Sequence, residues 1–361
     1  MKAVVPAVIF MLAACTSAAP PVASVTSSPT ASPIATPIGS PTVSPTTAAR
    51  PAPAVSLTSL GASLNCRLPV VWTVQDGQTQ TSEAGFMAFP GATLLADPSA
   101  PAHSVFYDRL FARWLPAGRD SVSPDGTRYA YSEGNAYQNT AGKLHVVNVA
   151  TGVDTVIYSG PRVYAVVDFA VEGIYLTGAT PEGRPHGLWL QDPAGGPARL
   201  ISSDIVAPAV GGGAAWGVNF NTADPSPGPG GLEGPRNGVL RFDLRTGAST
   251  PWFYRPGSDL YIMGFDPAGH PLVSAVFNPS PATGEYYEAW LVQSSTAATR
   301  LAITTGSAPA PSRVAAIDRH GVWLDSYYGP PGGAWLFASS SIQLVATVTG
   351  AWLKVAGGCI P

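Results

Sequence analysis

The chain has 361 residues, a formal charge of −3, 11% charged residues and 45% hydrophobic residues. Nucleic-acid recognition needs clustered Lys and Arg; only three lysines occur, Lys2, Lys143 and Lys354, and the composition argues against that class. The hydrophobic content is ample for a core, and no stretch approaches the roughly 20 apolar residues of a spanning helix.

The chain opens with one positive charge, Lys2, followed by an apolar run from Ala3 to Ala14. That order reads as a secretory signal over residues 1–14, because the run is too short to cross a bilayer. It ends in Leu12-Ala13-Ala14-Cys15, which resembles the lipobox of bacterial lipoproteins. The resemblance implies cleavage before Cys15, a lipid on its sulfur and new amino terminus, and a domain held on the extracytoplasmic side of a bacterial membrane.

Residues 15–60 are dominated by Pro, Ser, Thr, Ala and Val, with Arg50 the single charge. Frequent prolines remove backbone donors and favour extended polyproline-like chain. Such a segment cannot bury enough apolar surface to offset its ordering entropy. It reads as a disordered stalk with the composition of O-glycosylated linkers, and at about 3.1 Å per residue it would reach on the order of 100 Å.

From Gly61 to Pro361 Tyr, Trp, Phe, Val and Gly dominate, and short β-type runs alternate with turn signals. Val105 to Leu115 is the one helical candidate, and it reads equally well as strands around a turn. A degenerate repeat sets the architecture. A glycine turn followed by an apolar strand recurs at Gly126, Gly173, Gly213, Gly269 and Gly321. Each is followed by two further strands and preceded by one more apolar run, such as Tyr164 to Ala170. Four antiparallel strands every 40 to 56 residues is the pattern of a β-propeller blade.

Five such units lie between about residues 120 and 349, and Gly85 to Leu115 supplies a sixth that lacks an innermost strand. The last strand, Ala351 to Gly357, is expected to complete it and close the ring. The expectation is a six-bladed all-β propeller, or seven blades if Leu68 to Val74 builds one of its own. With Cys15 assigned to the lipid, Cys66 and Cys359 remain, one at each end of the domain. In an exported protein such a pair is expected to be oxidised, and a Cys66–Cys359 bond would lock the closure.

Ser123-Pro124-Asp125-Gly126-Thr127-Arg128-Tyr129-Ala130-Tyr131 resembles the hairpin of TolB-type, WD40-like β-propeller repeats, where Pro and Asp-Gly set a tight turn. The match is specific in this unit; elsewhere the Gly and the following strand persist. It implies fold, not substrate. The helical N-terminal domain of that family is replaced here by the stalk.

Nucleophile-elbow, zincin, phosphate-loop and C-x-x-C motifs are absent. The five histidines, His103, His145, His186, His270 and His320, are scattered singly. Asp120, Asp168, Asp266 and Asp318 fall near the ends of the expected innermost strands, where a ring of acids would bind a cation or basic group; the same residues suit turn capping. Two aromatic clusters have the make-up of a glycan platform: Tyr286 and Tyr287 beside Glu285, Glu288 and Trp290, and Tyr327 and Tyr328 beside Trp323 and Asp325. Core packing suits the tryptophans equally. The Pro/Gly-rich segment 221–238 has the length of a functional rim loop.

The candidate ligand residues are therefore Tyr286, Tyr287, Tyr327, Tyr328, Asp168 and Asp318. The expectation is a monomeric, membrane-tethered binding module for an envelope or extracellular protein or polysaccharide, without cofactor or metal. The alternatives are a propeller enzyme acting on glycans, hydrolase or lyase, which needs converging carboxylates, and an accessory subunit of an envelope complex.

Overall fold

A computed structural model describes residues 52–134, 141–179, 185–219, 236–277, 286–305, 308–326 and 330–361, all within the compact unit Pro51–Pro361. Cys15, expected to carry the lipid, the residues expected to form the stalk as far as Pro51, and residues 221–235 of the expected rim loop lie outside the described residues.

Strand β1 (Val55–Leu57) and the one-turn helix α1 (Ser59–Ser63) come first, inside the stretch expected to be stalk. The Thr58 hydroxyl caps α1 by accepting the Gly61 N–H, and donates to the Leu344 carbonyl at 2.8 Å. A side chain at Gly61 would collide with the Val345 carbonyl, so glycine lets the helix sit against the sheet. Strands β2 (Cys66–Asp76), β3 (Thr79–Phe89) and β4 (Thr93–Ala96) form an antiparallel meander. A separate hairpin follows, β5 (Phe106–Asp108) and β6 (Arg113–Leu115), then a 3-10 turn at Arg119–Ser121. Strands β7 (Arg128–Glu133), β8 (Gly142–Asn148) and β9 (Asp154–Gly160) make the next sheet, extended inward by a bridge from Val122 to Tyr129.

Seven strands then form one continuous sheet: β10 (Tyr164–Ala170), β11 (Gly173–Ala179), β12 (Pro185–Gln191), β13 (Arg199–Gly211), β14 (Ala214–Asn219), β15 (Gly238–Phe242) and β16 (Ser249–Tyr254). Its fourth strand, β13, is one strand serving two meanders. Up to Val206 it pairs with β12; from Val206 to Gly211 it pairs with β14. The change falls at Ala207, with φ +47°, and Pro208, where a left-handed residue and a missing donor break the ladder. Two four-stranded meanders follow: β17 (Asp259–Phe265), β18 (Pro271–Phe277), β19 (Tyr286–Ser294) and β20 (Ala297–Thr305); then β21 (Pro311–Asp318), β22 (Gly321–Ser326), β23 (Gly332–Ala338) and β24 (Ser341–Val348), with β1 on its outer edge.

The last strand, β25 (Ala351–Val355), returns to pair with β2 from Val70 to Val74. Beyond it, Arg67 and Ile360 exchange backbone hydrogen bonds, and Cys66 is joined to Cys359 across 293 residues. The closure expected from sequence is therefore present, with one correction. The sheet it completes is β25-β2-β3-β4, which takes Gly85 to Ala96 of the expected unit but not Phe106 to Leu115, and Leu68 to Val74 is part of β2 within it. The Phe106–Leu115 segment is a hairpin of its own, packed on this sheet through Tyr107, Trp114 and Phe86.

Successive sheets bury apolar faces against one another around the ring. Leu144 and Ile157 meet Ile174 and Leu176; Leu188 and Ile205 meet Phe242; Trp216 and Val239 meet Leu260 and Val273; Leu272 and Leu291 meet Val322 and Phe337; Trp323 and Val345 meet Trp72 and Leu353. Each fully buried large side chain contributes about 1.5–3 kcal/mol. Sequential meanders packed face to face, closed by the C-terminal strand on the N-terminal sheet, are a β-propeller.

Turn chemistry explains why these runs become hairpins. In Ser123-Pro124-Asp125-Gly126, the Asp125 carboxylate accepts the Ser123 hydroxyl at 2.6 Å and the Thr127 N–H at 3.0 Å, while Gly126 takes φ +68°. Those hydrogen bonds hold Asp125 down at about 2. Asp192, Asp243, Asp266 and Asp318 cap their turns through the amides of Ala194, Thr246, Ala268 and His320 in the same way.

Candidate functional site

Residues from four neighbouring inner strands and the 3-10 turn converge on a cavity of about 430 Å³, bordered by Arg119, Asp120, Asp168, Gly211, Phe265 and Asp266. Their origins in β10, β13, β17 and β21 and in Arg119–Ser121 identify it as one end of the central channel. The local backbone builds this lining. The ladder of β10 skips a residue between Val166 and Asp168, that of β17 between Ile262 and Gly264, and that of β21 between Val314 and Ala316. Such bulges bend a strand and re-aim its side chains. Gly264, at φ +143°, has no room for a side chain beside Val314, so it permits β17 and β21 to approach.

The acids expected in a ring are used differently. Asp120 lies in the 3-10 turn, before the inner strand, and pairs with Arg313 of β21 at 3.1 Å. Asp266 accepts the Ala268 and His270 amides and lies 3.1 Å from the His270 Nδ1. Asp168 stands apart. Burial, reinforced by the negative charge of Asp120, pushes its carboxyl up to about 7, although Arg119 opposes the shift. Asp318 does not join the cavity. It is buried beneath the closing strand and accepts the His320 amide at 2.7 Å, the Trp323 Nε1–H at 2.9 Å and the Cys359 amide at 2.6 Å.

The first aromatic cluster is divided by strand alternation. Tyr287 points into a smaller cavity of about 280 Å³ between β17, β18, β19 and β21, shared with Tyr261, Ser274, Ser312 and Arg313. Tyr286, on the opposite face, stacks on Phe277 at 5.5 Å. On that face Glu288 is held by Arg255 at 3.0 Å, Arg300 at 3.3 Å and the Trp290 Nε1–H at 3.0 Å. Burial pushes Glu288 upward, but those hydrogen bonds hold its carboxyl below the ordinary value. This is an ion network that fixes Glu288 in the sheet. In the second cluster Trp323 is fully buried; Tyr327 and Tyr328 lie outside the described residues. Asp325 accepts the Ser312 hydroxyl at 3.1 Å, and burial pushes it up to about 6.

Sequence reasoning did not single out Arg119 or Arg313, or the cavity of Tyr261 and Tyr287. Arginine at a strand start carries no signal until the ring brings β21 against the 119–121 turn.

Chemically, the channel end offers one carboxyl that is half-protonated near neutrality, a guanidinium, and two carboxylates already engaged. The protonated Asp168 can donate one hydrogen bond and accept others. That set suits hydroxyl or amino groups.

No family model matches the chain, and no curated protein matches it. Among solved structures it is similar to TolB from Acinetobacter baumannii (12% identity, TM-score 0.42, 81% of this chain and 67% of that one). It is also similar to a putative 6-phosphogluconolactonase from Bacteroides fragilis (9%, 0.43, 79% and 97%) and an oligogalacturonate lyase in complex with manganese (13%, 0.32, 77% and 85%). All three TM-scores are below 0.5, and nothing about ligand or activity is carried over from them; the propeller assignment rests on the strand order and ring closure described above.

Proposed function

We propose that the chain is a lipid-anchored, six-bladed propeller that binds an envelope or extracellular ligand at the channel end around Asp168, without transforming it. Six blades are counted by giving each half of β13 to its own meander and the Val122 bridge to the β7–β9 sheet. Anchoring through Cys15 rests on the lipobox resemblance, and the stalk would carry the domain outward from the membrane.

One observation carries the binding reading. Of the three carboxylates around the cavity, Asp120 is paired with Arg313 and Asp266 is engaged by its own turn, which leaves Asp168 as the acid without a side-chain ion pair at hydrogen-bond distance among the described residues. Acid–base cleavage of a glycosidic bond uses two free carboxyls on either side of it. A single protonated acid beside Arg119 instead grips a hydroxyl-rich ring, donating to one oxygen and accepting from another, and 430 Å³ admits one such group. The enzyme reading keeps one point in its favour: a carboxyl near 7 is matched to general acid–base work at neutral pH.

The test is an array of neutral and uronic oligosaccharides and of lysine-containing peptides, offered to the full chain and to Asp168→Asn. The expected result is a retained ligand, recovered unchanged by mass spectrometry, whose binding weakens about tenfold in the variant. New reducing or unsaturated ends on the recovered sugar would overturn the binding reading in favour of the enzyme.

A further inference from the structure

The ring closure holds a second arrangement of chemistry that the channel does not use. The donor atoms of Cys66, Cys359 and His320 all lie within 4.8 Å of one another. In the oxidised chain the two sulfurs are bonded. Reduction leaves two thiols and an imidazole at one point, under a buried aspartate. A tetrahedral ion with metal–sulfur bonds of about 2.3 Å and a metal–nitrogen bond of about 2.0 Å spaces its donors roughly 3.5–3.8 Å apart. Once reduction breaks the S–S bond the two sulfurs must part from bonding distance to that spacing, while the imidazole already lies within 4.8 Å of both.

A second observation is independent of those distances. His320 is held by Asp318, whose Oδ1 lies 3.2 Å from the His320 Nδ1 and accepts the His320 amide at 2.7 Å. Metal-ligating histidines use such a carboxylate to fix ring orientation and tautomer. The other oxygen, Oδ2, accepts the Cys359 amide and the Trp323 Nε1–H. A single side chain, 1% exposed, therefore positions one cysteine backbone and the imidazole together. The same aspartate–histidine turn occurs at Asp266 and His270; what sets the Asp318 turn apart is that its imidazole lies beside two sulfurs.

We propose that in the thiol state Cys66, Cys359 and His320 bind one thiophilic divalent cation of the zinc class, with Asp318 as the positioning residue and water at the fourth position. The metal then joins β2 to the C-terminal segment where the disulfide otherwise does, so the ring has a latch in either redox state. Binding converts two thiols to thiolates and releases two protons per ion. Zinc or cobalt, with soft sulfur donors and one imidazole, is the class that fits; calcium and magnesium, which take oxygen donors, are not.

The experiment uses the full chain carrying Cys15→Ala, so that two thiols remain. Under nitrogen a phosphine reductant converts the disulfide and one water to two thiols and phosphine oxide; it is then removed and cobalt(II) is titrated in. The expected result is one ion per chain by native mass spectrometry, sulfur-to-cobalt charge-transfer absorption, two protons released, and recovery of the thermal midpoint lost on reduction. His320→Ala is expected to weaken binding at least tenfold, and Asp318→Asn by about 10–100-fold. The oxidised variants serve as fold controls by thermal unfolding. Should a variant not fold, cadmium NMR of the reduced parent reads the two-sulfur, one-nitrogen ligand set directly. No charge-transfer band in the reduced parent, unchanged affinity in folded His320→Ala, or a cadmium signal without nitrogen ligation would overturn the proposal.

Discussion

Asp318 and Asp168 sit near the ends of equivalent inner strands, β21 and β10, and the ring treats them in opposite ways. Asp318 is buried under the closing strand with donors from His320, Trp323 and Cys359 around it. Asp168 is half-buried among apolar neighbours, with the Phe169 amide and Arg119 only partly offsetting burial and Asp120. A carboxylate supplied with donors becomes a structural rivet; one left short of them becomes a proton reservoir facing a cavity. Part of the difference comes from where the chain returns: the Cys359 amide, just beyond β25, adds a donor to those of the Asp318 hairpin, whereas Asp168 has the Phe169 amide and Arg119.

Four measurements would break or sharpen that contrast. The largest effect is expected at the closure itself. Replacing both Cys66 and Cys359 by Ser frees a link spanning 293 residues and should lower unfolding free energy by about 4 kcal/mol in urea; a loss below about 1 kcal/mol would mean that the β25–β2 ladder alone holds the ring. Asp318→Ala should come next. It strands the Trp323 indole N–H and the Cys359 amide, at about 3 kcal/mol, and an unchanged urea midpoint would remove its role as a rivet.

Asp168→Asn should act with the opposite sign and with pH. The folded value near 7 exceeds the unfolded value of about 3.9, so between them the native state keeps a proton that the unfolded chain has released. Stability contributed by the protonated form is complete below about pH 4 and is lost as pH rises toward 7. A shift of about 3 units corresponds to roughly 4 kcal/mol at most, and with the side chain partly exposed the variant should gain about 2 kcal/mol over the parent at pH 8 relative to pH 4; a pH-independent difference would sink this. The smallest effect belongs to Asp120 and Arg313. Their side chains are 42% and 57% exposed, and a double-mutant cycle should give less than about 1 kcal/mol.

Much of this molecule was legible before its coordinates. Glycine turns at 126, 173, 213, 269 and 321, the orphan strand at 351–357 and two cysteines at the domain ends are local signals of hairpins, closure and a cross-link. Local chemistry likewise marked Asp266 and Asp318 as turn caps. What failed to show was long-range or backbone-borne. The boundary of the closing sheet depended on β2, whose continuous apolar run gives no register until β25 lies beside it. The fusion at β13 depended on one left-handed alanine. The bulges at Val167, Met263 and Ala315, which shape the channel end, leave no trace in residue type. The Tyr286–Tyr287 pair is contiguous in sequence but divided in space, because adjacent residues on a strand face opposite sides.

The measurement that bears most directly on the account is a carbon-detected NMR titration of the Asp168 side-chain carboxyl, assigned by its loss in Asp168→Asn. The account predicts a midpoint near 7 in the unliganded chain, moved by more than half a unit when a ligand from the array occupies the channel end. A midpoint close to 4 would contradict it, showing Asp168 to be an ordinary solvated carboxylate and the channel end to be no prepared site.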